Sequence, residues 1–188
     1  MTQEERFPQG LVLVGMRGTG KSSVGRVLSR QLGRSLIDTD EEIERASGQP
    51  IRDLFARFGE PGFRDLETEV LQLSIKTPGQ ILATGGGIVL CQANRRALRD
   101  YGFVVWLSTD PRVIVARLQA DPEAASDRPA LTPAGTLNEI AAVLAERSPL
   151  YRAVAHAIVD TADRRVEDVA NAVVDAWRRQ TPGTGDAS

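Results

Sequence analysis

The chain has 188 residues, 41% of them hydrophobic, enough for one compact domain with a sizeable core. Its 23 Lys and Arg against 25 Asp and Glu leave a net charge of −2, which excludes a general basic footprint for nucleic acid or an anionic membrane; phosphate handling must be local. Its one cysteine, Cys91, excludes an intrachain disulfide, and no Cys/His group stands at zinc spacing, which fits a reducing compartment.

Residues 1–9 mix acids with one arginine and read as an N-terminal extension without the apolar core of a signal peptide. No later stretch reaches the roughly 18 apolar residues of a membrane span. The expectation is a cytoplasmic monomer with no nucleic-acid or membrane partner.

A buried strand is expected at 11–14, and "GMRGTGKSS" follows it directly, with a helix expected at 21–32. Gly15, Gly20, Lys21 and Ser22 fit G-x-x-x-x-G-K-[ST] between strand and helix, the context that this phosphate-binding loop requires. Backbone N–H groups of such a turn, Gly18, Thr19, Gly20 and Ser23 included, point into one hollow, and the helix adds the positive end of its dipole. Lys21 is placed to reach β- and γ-phosphate oxygens of ATP, and Ser22 to bind Mg²⁺.

The second strand, 35–38, runs into "DTD" and a helix at 40–46. In an open α/β sheet that strand end shares an edge with the phosphate loop. Asp38 and Asp40 can therefore divide metal and acceptor-hydroxyl duties, with Thr39 read as the helix cap. Further helices are expected at 51–58 and 62–75, so that about 39–76 forms an insertion. The third strand, 80–84, leads into Gly85, Gly86 and Gly87, a plausible second wall of the site.

A helix at 92–100, a strand at 103–107 and a helix at 111–118 follow. The Asp-, Pro- and Ala-rich stretch at about 120–133, with Arg128 inside it, reads as a lid. The chain then shows a helix at 135–148, a strand at 157–160, a helix at 166–178 and a small polar tail at 181–188. The pattern is α/β: a parallel sheet of five strands between two helical layers, one domain over 10–180. Arg64, Arg128 and Arg147 stand among neutral or acidic neighbours and can clamp a small anion and a phosphoryl group. Trp106 and Trp177 read as core, and His156 as having no chemistry.

Six ordered motifs carry a resemblance over nearly the whole chain, from about residue 11 to 177: GxxGxGKS at 15–22, "DTD" at 38–40, "GFRxxE" at 62–67, "TGGG" at 84–87, "RP" at 128–129 and "RxPLY" at 147–151. The sequence resembles shikimate kinase, a P-loop kinase with the nucleoside-monophosphate-kinase fold. That resemblance implies the strand order 2-3-1-4-5, and transfer of the γ-phosphate of ATP to the 3-hydroxyl of shikimate. It implies that Arg64 and Arg147 hold the substrate carboxylate and that Asp40 orients or deprotonates the hydroxyl. Gly85, Gly86 and Gly87 would lie along the substrate, with Phe55 and Phe63 as an apolar wall and Glu67 holding Arg64. Asp38 joins Ser22 at Mg²⁺, Arg128 arrives with the lid, and Arg117 stacks on adenine. A gluconate-type or other small-metabolite kinase, and a nucleotide-binding module without turnover, remain the alternatives.

Overall fold

The computed structural model describes residues 10–120 and 137–180. The N-terminal extension, most of the lid with Arg128, and the tail lie outside the described residues.

Five strands form one parallel sheet: β1 (Gly10–Val14), β2 (Leu36–Asp38), β3 (Ile81–Ala83), β4 (Gly102–Ser108) and β5 (Ala157–Asp160), in the order β2-β3-β1-β4-β5. Among the described residues the helices are α1 (Lys21–Leu32), α2 (Thr39–Ser47), α3 (Ile51–Ser74), α4 (Gln92–Tyr101), α5 (Pro111–Ala120), α6 (Leu137–Val154) and α7 (Val166–Gln180). The expected fold class and strand order hold.

β1 is central, and its register shows why all five of its residues are buried: Leu13 pairs with Ala83 on one side and Val105 on the other. Alternate side chains then serve opposite layers. Leu11 and Leu13 pack with Val24, Leu28, Val173 and Trp177 of α1 and α7. Val12 and Val14 pack with Leu71, Leu98, Trp106 and Tyr151, on the face covered by α3, α4 and α6. Trp106 and Trp177 are core residues as expected, at 5% and 1% exposure.

The insertion has its own small core of Ile43, Ile51, Leu54, Phe63 and Val70. The two helices expected here are joined as α3 across a break at Gly59, whose φ of 66° and ψ of −178° no helix accommodates. Pro61, two residues on, lacks an N–H to bond backwards, so the chain turns there and resumes. Helix α6 passes the expected end at 148 and runs through Pro149 to Val154, because Tyr151 and Val154 are buried in the core and outweigh the lost bond. A 3₁₀ turn at Ile88–Leu90 follows the glycine triplet and has no counterpart in the sequence reading.

Candidate active site

The C-terminal ends of β1, β2 and β3 converge on one cleft of about 480 Å³, lined by Lys21, Ser22, Ser23, Asp38, Asp40 and Gly86, among others. Every strand points the same way, so the loops after them must meet at one edge.

After β1, the backbone of Gly15, Gly18 and Gly20 has φ of 145°, 78° and 89°, values that side-chain-bearing residues rarely adopt. Gly20 precedes α1 in the left-handed region, which turns the first N–H groups of the helix toward the cleft. Thr19 is buried and its Oγ1 donates to Met16 O at 2.7 Å, closing the loop on itself. Lys21 Nζ donates to the same carbonyl at 2.8 Å.

After β2, Ser22 Oγ donates to Asp38 Oδ2 at 2.5 Å, and Asp38 Oδ1 accepts from Asp40 N–H at 3.0 Å. Asp38 is therefore the cap of α2, a correction to the assignment of Thr39. Extended φ and ψ at Asp38 let its carboxylate fold back on the first turn, whereas Thr39 already lies in the helix. Thr39 is fully buried, and its Oγ1 accepts from Gly85 N–H at 3.0 Å, tying the aspartates to the glycine triplet. Among the described residues no three His, Cys, Asp or Glu side chains gather as a metal cage.

After β3, Gly86 lies against the phosphate loop: a Cβ there would stand 3.3 Å from Arg17 N and 3.4 Å from Gly15 O. Gly87 lies against Arg64, where a Cβ would come within 1.9 Å of Nη1. Arg64 Nη1 pairs with Glu67, which is 1% exposed, and Nη2 and Nε face Glu60 Oε1 at 3.1 Å and 3.4 Å. Burial works against the Arg64 charge, but the two carboxylates outweigh it and raise its pKa. Phe55 and Phe63 stack at 4.2 Å, and the Arg64 guanidinium lies over both rings.

From α6, Arg147 Nη1 lies 3.4 Å from Gly86 O, while its Nε is buried with no hydrogen-bond partner among the described residues. On the far side, Arg117 bonds to Gly18 O, Thr161 Oγ1 and Thr161 O, bridging the phosphate loop and the turn after β5.

The structure thus brings Lys21, Ser22, Asp38, Asp40, Gly86 and Arg117 to one cleft. Phe55, Phe63, Arg64, Gly85, Gly87 and Arg147 do not line it; Arg64 and Arg147 adjoin the glycine triplet, and the two phenylalanines lie under Arg64. Three participants escaped the sequence reading. Arg17 lines the cleft from a variable position of the loop motif. Thr161, in the turn after β5, holds Arg117 through its Oγ1 and its carbonyl. Tyr151 was visible only as the last letter of "RxPLY"; its hydroxyl donates to Gly86 O at 2.5 Å.

A family model described as Shikimate kinase matches residues 17–178. A shikimate kinase of Rhodopirellula baltica is 39% identical over 94% of this chain and 94% of its own. Shikimate kinase 2 of Dickeya chrysanthemi is 45% identical over 80% of this chain and 86% of its own. Among solved structures, shikimate kinase from Acinetobacter baumannii in complex with shikimate superposes with a TM-score of 0.86 at 36% identity, covering 93% of this chain and 95% of that one. A gluconokinase from Sinorhizobium meliloti, at 19% identity and a TM-score of 0.60 over 94% of this chain and 95% of that one, shares the fold alone. With five of the six motifs among the described residues gathered at or beside one cleft, and relatives matched along almost their full length, the chain belongs to the shikimate kinase family.

Proposed function

We propose that the chain transfers the γ-phosphoryl group of ATP to the 3-hydroxyl of shikimate, giving shikimate 3-phosphate and ADP. Enzymes of this family use ATP. The observation that carries the reading is the glycine triplet, which touches the phosphate loop at Gly86 and the paired arginines at Gly86 and Gly87. A carboxylic acid held by Arg64 and Arg147 there lies beside a triphosphate held by the loop.

The roles follow from charge and reach. Backbone N–H groups around Gly15, Gly18, Thr19, Gly20 and Ser23 hold the phosphates, and Lys21 moves from Met16 O to the β- and γ-phosphate oxygens. Ser22 and Asp38 suit Mg²⁺, which takes one or two protein oxygens and keeps phosphate and water as its other ligands. Bound there, Mg²⁺ would supply positive charge to neutralise the phosphates. Asp40 orients the attacking hydroxyl and receives its proton while the bond to phosphorus forms and the bond to the β-phosphate oxygen breaks. Glu67 holds Arg64, Phe55 and Phe63 back the acceptor ring, Gly85 to Gly87 lie along it, and Arg117 faces adenine.

The insertion at 39–76 supplies the acceptor side, and the lid at about 120–133 brings Arg128 to the phosphoryl group. Closing a lid excludes water, itself a competing acceptor. Among the described residues no helix is long and apolar enough to cross a membrane; we place the enzyme in the cytoplasm.

ADP release measured with shikimate, gluconate, a nucleoside monophosphate and water as acceptors tests the reading. Release with shikimate far above the water rate is expected, and equal release with every acceptor would refute it.

A further inference from the structure

We propose that Tyr151 is a positioning residue for the acceptor, acting through the carbonyl of Gly86; the inference rests on the acceptor site described above. Tyr151 is completely buried, and its ring stacks on Trp106 with centroids 5.6 Å apart. That contact fixes the direction of the hydroxyl, which meets Gly86 O at 2.5 Å. A carbonyl oxygen has two lone pairs. Arg147 Nη1, one helical turn before Tyr151 on α6, lies 3.4 Å from the same oxygen.

The geometry joins three parts of the site at one atom. Gly86 is packed against the backbone of the phosphate loop, so its position sets the separation of phosphate and acceptor. Thr39 Oγ1 holds the preceding Gly85 N–H, and Tyr151 holds the next carbonyl, so the loop is fixed from two layers of the fold. Arg147 has a long bond to that carbonyl and a buried, unpartnered Nε. A guanidinium held this loosely depends on its neighbours for position, and Tyr151 holds the neighbour it touches. Without the phenol, the Gly86 carbonyl keeps only that long bond, and both the glycine loop and Arg147 gain freedom.

The test is Tyr151→Phe, which keeps the ring stack and removes only the hydroxyl. Tyr101→Phe is its control. Tyr101 also has a phenol on backbone partners, half-buried, donating to Thr77 O at 3.0 Å and accepting from Gln80 N–H at 3.0 Å, but at the opposite edge of the sheet, before β3. Tyr151→Phe is expected to raise the acceptor KM about tenfold, with the KM for ATP within about twofold of wild type. Tyr101→Phe is expected to lower thermal stability without moving either KM. In a double-mutant cycle, Arg147→Ala should cost less in the Tyr151→Phe background than alone. Hydrogen exchange of the segment 84–90, measured without acceptor, should quicken in Tyr151→Phe and not in Tyr101→Phe.

Wild-type turnover of shikimate tests the functional reading separately, and the variant-to-wild-type ratio for whichever acid is phosphorylated tests Tyr151. Unchanged exchange at 84–90, additive effects with Arg147→Ala, or equal changes in both KM values would overturn the proposal.

Discussion

Ser22 Oγ donates to Asp38 Oδ2 across 2.5 Å, so the first turn of α1 is joined to the end of β2 before any metal binds. Two hard oxygens pre-set at hydrogen-bond distance can turn jointly to a divalent cation with little reorganisation. Replacing Asp38 by Asn should raise the Mg²⁺ concentration for half-maximal activity roughly ten- to a hundredfold. A Mg²⁺ titration at saturating ATP and acceptor reads this directly, and an unchanged midpoint would remove Asp38 from the metal site.

In the proposed reaction, Lys21 would provide charge that grows in importance as the phosphoryl group moves. Lys21→Ala should lower kcat by about a hundredfold or more, the usual loss when one preorganised donor to a reacting oxygen is removed. Its 2.8 Å bond to Met16 O is replaceable, so folding should survive. Circular dichroism and turnover together separate the two outcomes.

Arg64 should show itself in the acceptor KM. Removing one partner of a desolvated charge pair costs about 2–5 kcal/mol, so Arg64→Ala should raise that KM roughly thirtyfold or more. Gly87→Ala should act similarly, because the added Cβ would stand 1.9 Å from Nη1. The clash is with a flexible side-chain end, so the guanidinium moves and the fold remains. Initial-rate kinetics at varied acceptor check both variants.

Glu60 should have the opposite effect. It faces the Nε and Nη2 edge of Arg64 that an incoming carboxylate would use, and its side chain is 60% exposed. Exposed ion pairs contribute at most about 1 kcal/mol, so Glu60→Gln should lower the acceptor KM about two- to fivefold. A higher KM would show that Glu60 supports the clamp instead of competing for it.

His156 should give stability a dependence on pH. Its Nδ1 accepts from Val104 N–H at 2.9 Å, a bond that protonation of that nitrogen destroys. Burial, and secondarily the charge of Arg99, holds its pKa below the ordinary 6.5. Between the native pKa and 6.5 the unfolded chain binds more protons, so stability rises with pH across that window. The contribution is present above 6.5 and lost as pH falls through the native value. Thermal melts from pH 7.5 down to 5 should show the fall in wild type and a flatter profile in His156→Gln; parallel profiles would assign the dependence elsewhere.

What the sequence made legible was the part written in local chemistry. The continuous apolar run of β1, the loop motif and the three arginine motifs each depend on residues within a few positions of one another. The cap of α2 was misassigned because Asp38 and Thr39 are both good cap residues, and only the φ and ψ of Asp38 decide between them. Helix α6 was ended too early because proline propensity is local, whereas the burial of Tyr151 and Val154 is tertiary. Bonds such as Thr39 to Gly85 and Tyr151 to Gly86 join residues 46 and 65 positions apart, and no spacing rule reports them. The same limit explains His156, which does not line the cleft and completes the start of β4 as an acceptor for a backbone N–H.

The most direct measurement is a crystal structure with ADP, Mg²⁺ and shikimate bound together. The expected density places the carboxylate within hydrogen-bond distance of Arg64 and Arg147, the 3-hydroxyl toward Asp40, and Mg²⁺ between Ser22 and the phosphates. Shikimate bound away from both arginines, or with its 3-hydroxyl turned from the phosphate loop, would contradict the assignment.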